Sequence, residues 1–72
     1  MGMERPILQE DASKMACRKV VERLMDLPIP TREDVDRIKM DVCHGLQVPL
    51  VRNSDLIRVM TSRERRRLLP IL

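Results

Sequence analysis

The chain has 72 residues, 43% of them hydrophobic and none of them Phe, Tyr or Trp, so any core is built from aliphatic, Met and Cys side chains in one small folding unit, with no room for a large catalytic cavity. Ordering such a chain costs roughly 1.5 kcal/mol per residue, which leaves short aliphatic helices marginal alone and points to a fragment or a partner-dependent domain. Fourteen Lys and Arg against eleven Asp and Glu give a net charge of +3, with 35% of residues charged; no apolar run approaches the roughly 18 residues of a membrane span, and the N-terminus lacks the layout of a secretory signal, so the expected location is the cytoplasm.

Residues 1–11, opening on Met1-Gly2-Met3, are expected to be disordered or tag-derived, and residues 12–72 to form the helical domain. From Ala12 to Leu27, the residues Ala12, Ala16, Val20, Leu24 and Leu27 recur at helical spacing, and Cys17, Val21 and Met25 widen the stripe. Asp11 or Ser13 is the expected cap, and Pro28 and Pro30 end the helix because each removes a backbone donor and restricts its predecessor. Opposite the stripe, Lys14, Arg18, Lys19, Glu22 and Asp26 make a solvated face, basic in its first half.

Thr31 with Asp34 three residues on predicts a capped second helix over 32–43, carrying the apolar stripe Val35, Ile38, Val42 and Leu46. Gly45 is placed to stop it in the left-handed conformation, which leaves 46–52, broken by Pro49, as a linker. Asn53 is the expected cap of a short third helix with Leu56, Ile57, Val59 and Met60. Thr61 with Glu64 opens a short fourth that ends near Leu69, before Pro70. Nothing alternates with the period of a strand. The fold class is therefore all-α, a small bundle of four helices, two longer and two short, with Pro-containing linkers. Its expected core is Ala16, Val20, Leu24, Val35, Ile38, Val42, Leu56, Met60, Leu68 and Leu69.

Charge is unevenly spread. Residues 1–51 carry eight basic and nine acidic side chains, whereas residues 52–72 carry six and two, so a polyanion meets the C-terminal third first. At 3.6 residues per turn Arg63, Arg66 and Arg67 lie opposite Leu68, with Arg65 nearer the apolar side. With Arg52 and Arg58 upstream, these guanidinium groups offer permanently charged, forked donors that match a phosphate. A charge run is as readily a solvated face, and both readings stand from charge alone. Lys14, Arg18 and Lys19 on the first helix are candidates to extend the same surface. Without an aromatic platform for stacking, the mode such a surface supports is backbone and shape recognition of structured RNA or a duplex. A DNA-binding helix-turn-helix fits less well, since the arginines sit on a very short helix without Asn or Gln base readers.

The chain carries no catalytic, cofactor-binding or metal-binding constellation. Cys17 and Cys43 lack paired metal-ligand spacing and read as reduced, buried thiols. Cys43 and His44 are neighbours that point about 100° apart on a helix, which does not make a nucleophile with its base; His44 suits a helix end. With glycine only at Gly2 and Gly45, there is no phosphate-binding loop for nucleotide-dependent chemistry.

Four segments together carry a resemblance: Thr31-Arg-Glu-Asp-Val-Asp-Arg-Ile-Lys39, Val42-Cys-His-Gly-Leu46, Asn53-Ser-Asp-Leu-Ile57 and Glu64-Arg-Arg-Arg-Leu-Leu-Pro70. From about Met15 onward the chain resembles the extreme N-terminal region of the archaeal-type catalytic subunit of Elongator. One departure is the Cys43-His44-Gly45-Leu46 step, where many relatives have a Lys-Tyr-Gly-Leu-like one; the lost aromatic leaves that helix end less anchored. The resemblance implies that residues 12–72 are the tRNA-binding N-terminal fragment of a larger enzyme, a tRNA uridine acetyltransferase. That enzyme begins carboxymethylation of the wobble uridine with acetyl-CoA, S-adenosylmethionine and an iron–sulfur cluster. All three cofactors belong to the family's downstream domains and none to this fragment. Two functions follow for the fragment. One is a tRNA-binding accessory domain working through phosphate contacts; the other is a helical module that docks on the catalytic remainder or another subunit without touching RNA.

Overall fold

The computed structural model describes residues 9–72, with side chains from Asp11 onward. Four α-helices follow one another, α1 Gln9–Asp26, α2 Arg32–Leu46, α3 Asn53–Val59 and α4 Ser62–Leu68, and a 3₁₀ turn at Leu69–Ile71 closes the chain. No strand occurs among the described residues. The all-α bundle of two longer and two short helices is the fold expected from the apolar periodicity.

α1 is the hub and packs against α2, α3 and α4. Its width of apolar face explains this: Ala16, Val20 and Leu24 together with Cys17 and Val21 are all buried, a stripe broad enough to meet helices on two sides. Val35, Ile38, Val42 and Cys43 from α2, Val51 from the linker, and Leu56, Met60 and Leu68 from the short helices complete the core. Leu69 departs from expectation at 46% exposed. It begins the 3₁₀ turn imposed by Pro70, and one residue past the fully buried Leu68 is a rotation of about 100° out of the core.

The helix ends show where local signals were followed and where packing overrode them. Two capping boxes form as expected: Thr31 Oγ1 accepts from the Asp34 N–H at 3.2 Å while Asp34 Oδ2 accepts from the Thr31 N–H at 3.0 Å. Likewise Thr61 Oγ1 accepts from the Glu64 N–H at 3.3 Å and Glu64 Oε1 accepts from the Thr61 N–H at 2.9 Å. α1, by contrast, starts before Asp11 and Ser13, which lie inside it rather than capping it. Residues 9–11 thus belong to the helix, and the rest of the expected disordered leader lies outside the described residues. Asn53 is not the cap of α3 but its first residue. Arg52 holds the cap position, and its N–H donates to Asp55 Oδ2 at 3.1 Å; an arginine side chain has no acceptor with which to complete the box.

Gly45 does not terminate α2. The helix continues through it, and Gln47 takes the left-handed conformation instead, at φ 56°. The Val48 N–H reaches the Cys43 carbonyl at 3.0 Å and the Gln47 N–H the His44 carbonyl at 3.1 Å, a Schellman closure placed later than glycine would set it. Leu46 and Val48 both pack on the core, and that packing outweighs the strain at Gln47. Gln47→Gly is therefore expected to raise stability by about 0.5–1 kcal/mol, since a non-glycine residue in this conformation costs more than the entropy glycine adds. Gly45→Ala, whose new Cβ meets nothing within 4 Å, is expected to add a few tenths of a kcal/mol or more. Thermal denaturation of the two variants checks both.

Candidate nucleic-acid interface

The nine cations singled out from sequence fall into different environments once the helices pack. Three are committed to holding the fold. Arg18 is not on a solvated face: its Nη1 donates to the Val59 carbonyl at 3.0 Å and to Glu64 Oε1 at 2.9 Å, and its Nη2 reaches Glu64 Oε2 at 3.3 Å. Glu22 Oε2 lies at 3.5 Å from the same Nη2. Arg65 Nε donates to the Ile57 carbonyl at 3.2 Å, which fixes the α3–α4 corner. Arg67 turns back across the molecule to the end of α1. Its Nη1 donates to the Met25 carbonyl at 3.3 Å and its Nη2 to the carbonyls of Leu27 and Pro28 at 2.6 and 3.0 Å. The expected trio of Arg63, Arg66 and Arg67 projecting together is thus reduced to a pair.

Arg63 and Arg66 are exposed and have no hydrogen-bond or carboxylate partner among the described residues. They stand on α4, whose first turn is held by the Thr61–Glu64 box and whose last is anchored by buried Leu68. Arg52 is exposed and only loosely paired, its Nε 3.6 Å from Asp55 Oδ2. Lys14 and Arg58 are brought to one groove of about 460 Å³ between α1 and α3. Lys19 lies elsewhere, on the α1–α2 side, beside Arg23, Asp41 and Gly45.

The acids near these groups are already engaged. Hydrogen bonds from Arg18 first, and from the Thr61 N–H next, hold the Glu64 carboxyl below the usual range. The Arg52 N–H does the same for Asp55, and Arg23, at 2.6 Å, for Asp41. Glu64 is the one carboxylate on α4, and with it spent on Arg18 the outer face of α4 around Arg63 and Arg66 is positive.

Lys39 escaped the sequence reading. It is buried, at 8% exposed, and its Nζ donates to Asn53 Oδ1 at 2.8 Å, so the side chain expected to cap α3 ties α2 to α3 instead. A signal existed: Lys39 falls on the apolar side of α2, four after Val35 and three before Val42.

Compared with protein-family models, residues 13–72 match the ELP3 N-terminal domain. The chain belongs to that family. No curated protein and no solved structure matches it. As an ELP3 N-terminal domain it is an N-terminal part of the Elongator catalytic subunit, and so a piece of a tRNA-modification enzyme. The described residues of this ELP3 domain do not fit the iron–sulfur cluster that the resemblance implies for the whole enzyme. Its Cys17 and Cys43 are buried and free, and no group of three His, Cys, Asp or Glu gathers among the described residues to hold a metal or cluster. Burial first, then the Asp55 charge, push the Cys17 thiol upward, which suppresses the thiolate that a metal or an electrophile requires. No helix among the described residues is long and apolar enough to cross a membrane.

Proposed function

We propose that this domain holds tRNA for the catalytic remainder of the same polypeptide, a tRNA wobble-uridine acetyltransferase that works in the cytoplasm and draws its acetyl-CoA, S-adenosylmethionine and cluster sites from downstream. Arg63 and Arg66 make the principal phosphate contacts. What supports the reading is the contrast on one short helix: Arg65 and Arg67 are spent on backbone carbonyls, while Arg63 and Arg66 are exposed without partners among the described residues. Arg52, exposed and only loosely paired, adds to the positive field of the C-terminal third. With no aromatic residue in the chain, contacts go to phosphate and ribose, which report shape and carry little base identity. The domain therefore raises the local tRNA concentration and sets its orientation, and the choice of uridine falls to the catalytic part.

The test is an electrophoretic mobility shift with tRNA over a salt series, using Arg63→Ala/Arg66→Ala and leaving Arg67 in place. The double variant is expected to keep its helical circular dichroism and its melting temperature. It should bind tRNA about tenfold or more weakly, with a salt slope shallower by about 1.4–1.8 for two lost phosphates. Unchanged affinity at low salt would mean that the two arginines are only a solvated surface.

A further inference from the structure

We propose that the groove between α1 and α3 is a docking site for an extended, acidic, leucine-bearing peptide segment of a protein partner, at a place distinct from the RNA-facing arginines. The groove, about 460 Å³, has Lys14 on the α1 side and Arg58 on the α3 side, and its apolar surface comes from Pro49, Leu50, Val51 and Val59. Three features define the occupant. The first is charge: neither Lys14 nor Arg58 has an acidic partner among the described residues. The one acid on the wall, Asp55, accepts from the Arg52 N–H and feels the Arg58 charge without forming an ion pair with it, so both cations keep donors for a ligand acid.

The second is apolar area. Leu50 is 58% exposed although its neighbour Val51 is buried, so the linker is pinned to the core at one residue and holds out a leucine at the next. A ribose-phosphate backbone, mostly hydroxyls and charge, covers Leu50 and Pro49 far less well than an aliphatic side chain does, and no aromatic side chain is present to stack a base. A peptide with leucine and acid two residues apart, and so on one face when it is extended, covers the floor and pairs with the rim together. The third is backbone. From Val48 to Val51 the linker is in neither helix nor turn, and beyond the Val48 N–H bonded to Cys43 its main-chain groups make no hydrogen bond to a described residue. Pro49 has no N–H, so this stretch offers an extended partner the Leu50 and Val51 N–H groups and its free carbonyls, enough for a few main-chain bonds that set the partner's direction while the side chains set specificity.

The probe is a fluorescein-labelled dodecapeptide of three Leu-Ser-Glu-Ser repeats, the Leu/Glu peptide, which puts Leu and Glu on one face when extended; it is followed by anisotropy and compared with versions carrying Lys for Glu or Ser for Leu. The Leu/Glu peptide is expected to bind, the Lys version not to, and the Ser version to bind at least fivefold more weakly. Lys14→Glu/Arg58→Glu should reduce Leu/Glu binding tenfold or more, and Leu50→Ala severalfold. Arg63→Ala/Arg66→Ala should leave it unchanged, so this site and the tRNA site fail or succeed separately. All the altered side chains are exposed, and circular dichroism confirms the fold of each variant. The proposal is overturned if the three peptides bind alike, or if none binds. It is equally overturned if charge reversal at Lys14 and Arg58 spares the peptide and instead lowers tRNA affinity as much as loss of Arg63 and Arg66 does, which would make the groove part of the RNA surface.

Discussion

Glu64→Ala is expected to destabilise the domain by about 2–3 kcal/mol, lowering the melting temperature by roughly 10–20 °C for a chain of this size. The carboxylate does two jobs. It closes the α4 capping box by accepting from the Thr61 N–H at 2.9 Å, and it receives the forked donors of Arg18 at 2.9 and 3.3 Å. Loss of a helix cap alone costs about 1 kcal/mol, and hydrogen bonds to a charged partner contribute more than neutral ones. At 13% exposure of its side chain, Glu64 is screened less than a surface ion pair would be. Against a total stability of roughly 4–10 kcal/mol for a domain of this length, the change is large. Arg18→Ala should cost a similar amount, since it also removes the donor from the Val59 carbonyl. In a double-mutant cycle the two losses should fall well short of adding.

The same contact sets an acid limb. Because Arg18 and the Thr61 N–H hold the folded Glu64 carboxyl below its ordinary range, the unfolded chain takes up this proton at a higher pH than the folded one. The stabilisation is fully present above the unfolded glutamate value of about 4.3. It is lost as pH falls through the lower folded value. Glu64→Gln, which keeps the shape but not the charge, should flatten the decline in melting temperature below about pH 4.5, leaving the part due to Asp34, Asp41 and Asp55. An acid limb as steep in Glu64→Gln as in the parent would show that Glu64 is not its source.

What was legible from the chain was whatever depended on neighbours in sequence. The helical stripes, the Thr31 and Thr61 boxes and the stops at Pro28 and Pro70 all follow from three- and four-residue spacing and from proline's missing donor, and nine of the ten residues expected in the core are buried. What was not legible depended on partners far along the chain. Periodicity places Arg67 on the outer face of α4, but a flexible arginine that can reach a helix end left with unpaired carbonyls will do so. Arg18 reads as surface until α3 and α4 arrive beside it. Gly45 and Asn53 carry the right chemistry for their expected roles. The packing of half-buried Leu46 on the core draws α2 past Gly45, and the Lys39 ammonium, which must find an acceptor once buried, claims the Asn53 side chain. Among the candidate RNA contacts, sequence supplied the cations and packing decided which of them stay free.

Arg67→Ala is the second large effect expected, a loss of about 1–2 kcal/mol, and it separates fold from binding within a single arginine cluster. Three carbonyls at the close of α1 and the following turn, those of Met25, Leu27 and Pro28, converge on its guanidinium. Pro28 and Pro30 have no N–H with which to continue hydrogen bonding there, so one side chain from the far end of the sequence closes α1 and fastens α4 across it. Its positive charge also suits the negative end of the α1 dipole. Arg67→Lys should recover only part of the loss, because an ammonium lacks the planar fork that reaches several carbonyls at once. The measurement is chemical denaturation of Arg67→Ala, Arg67→Lys and Arg63→Ala/Arg66→Ala side by side. The midpoint should fall in the first, fall less in the second and hold in the third. If all three hold, Arg67 is as free as its neighbours and returns to the set of cations open to phosphate. If the expected order is found, a variant that removes Arg63, Arg66 and Arg67 together loses tRNA binding partly by loosening α4, and only the double variant reports the phosphate contacts themselves.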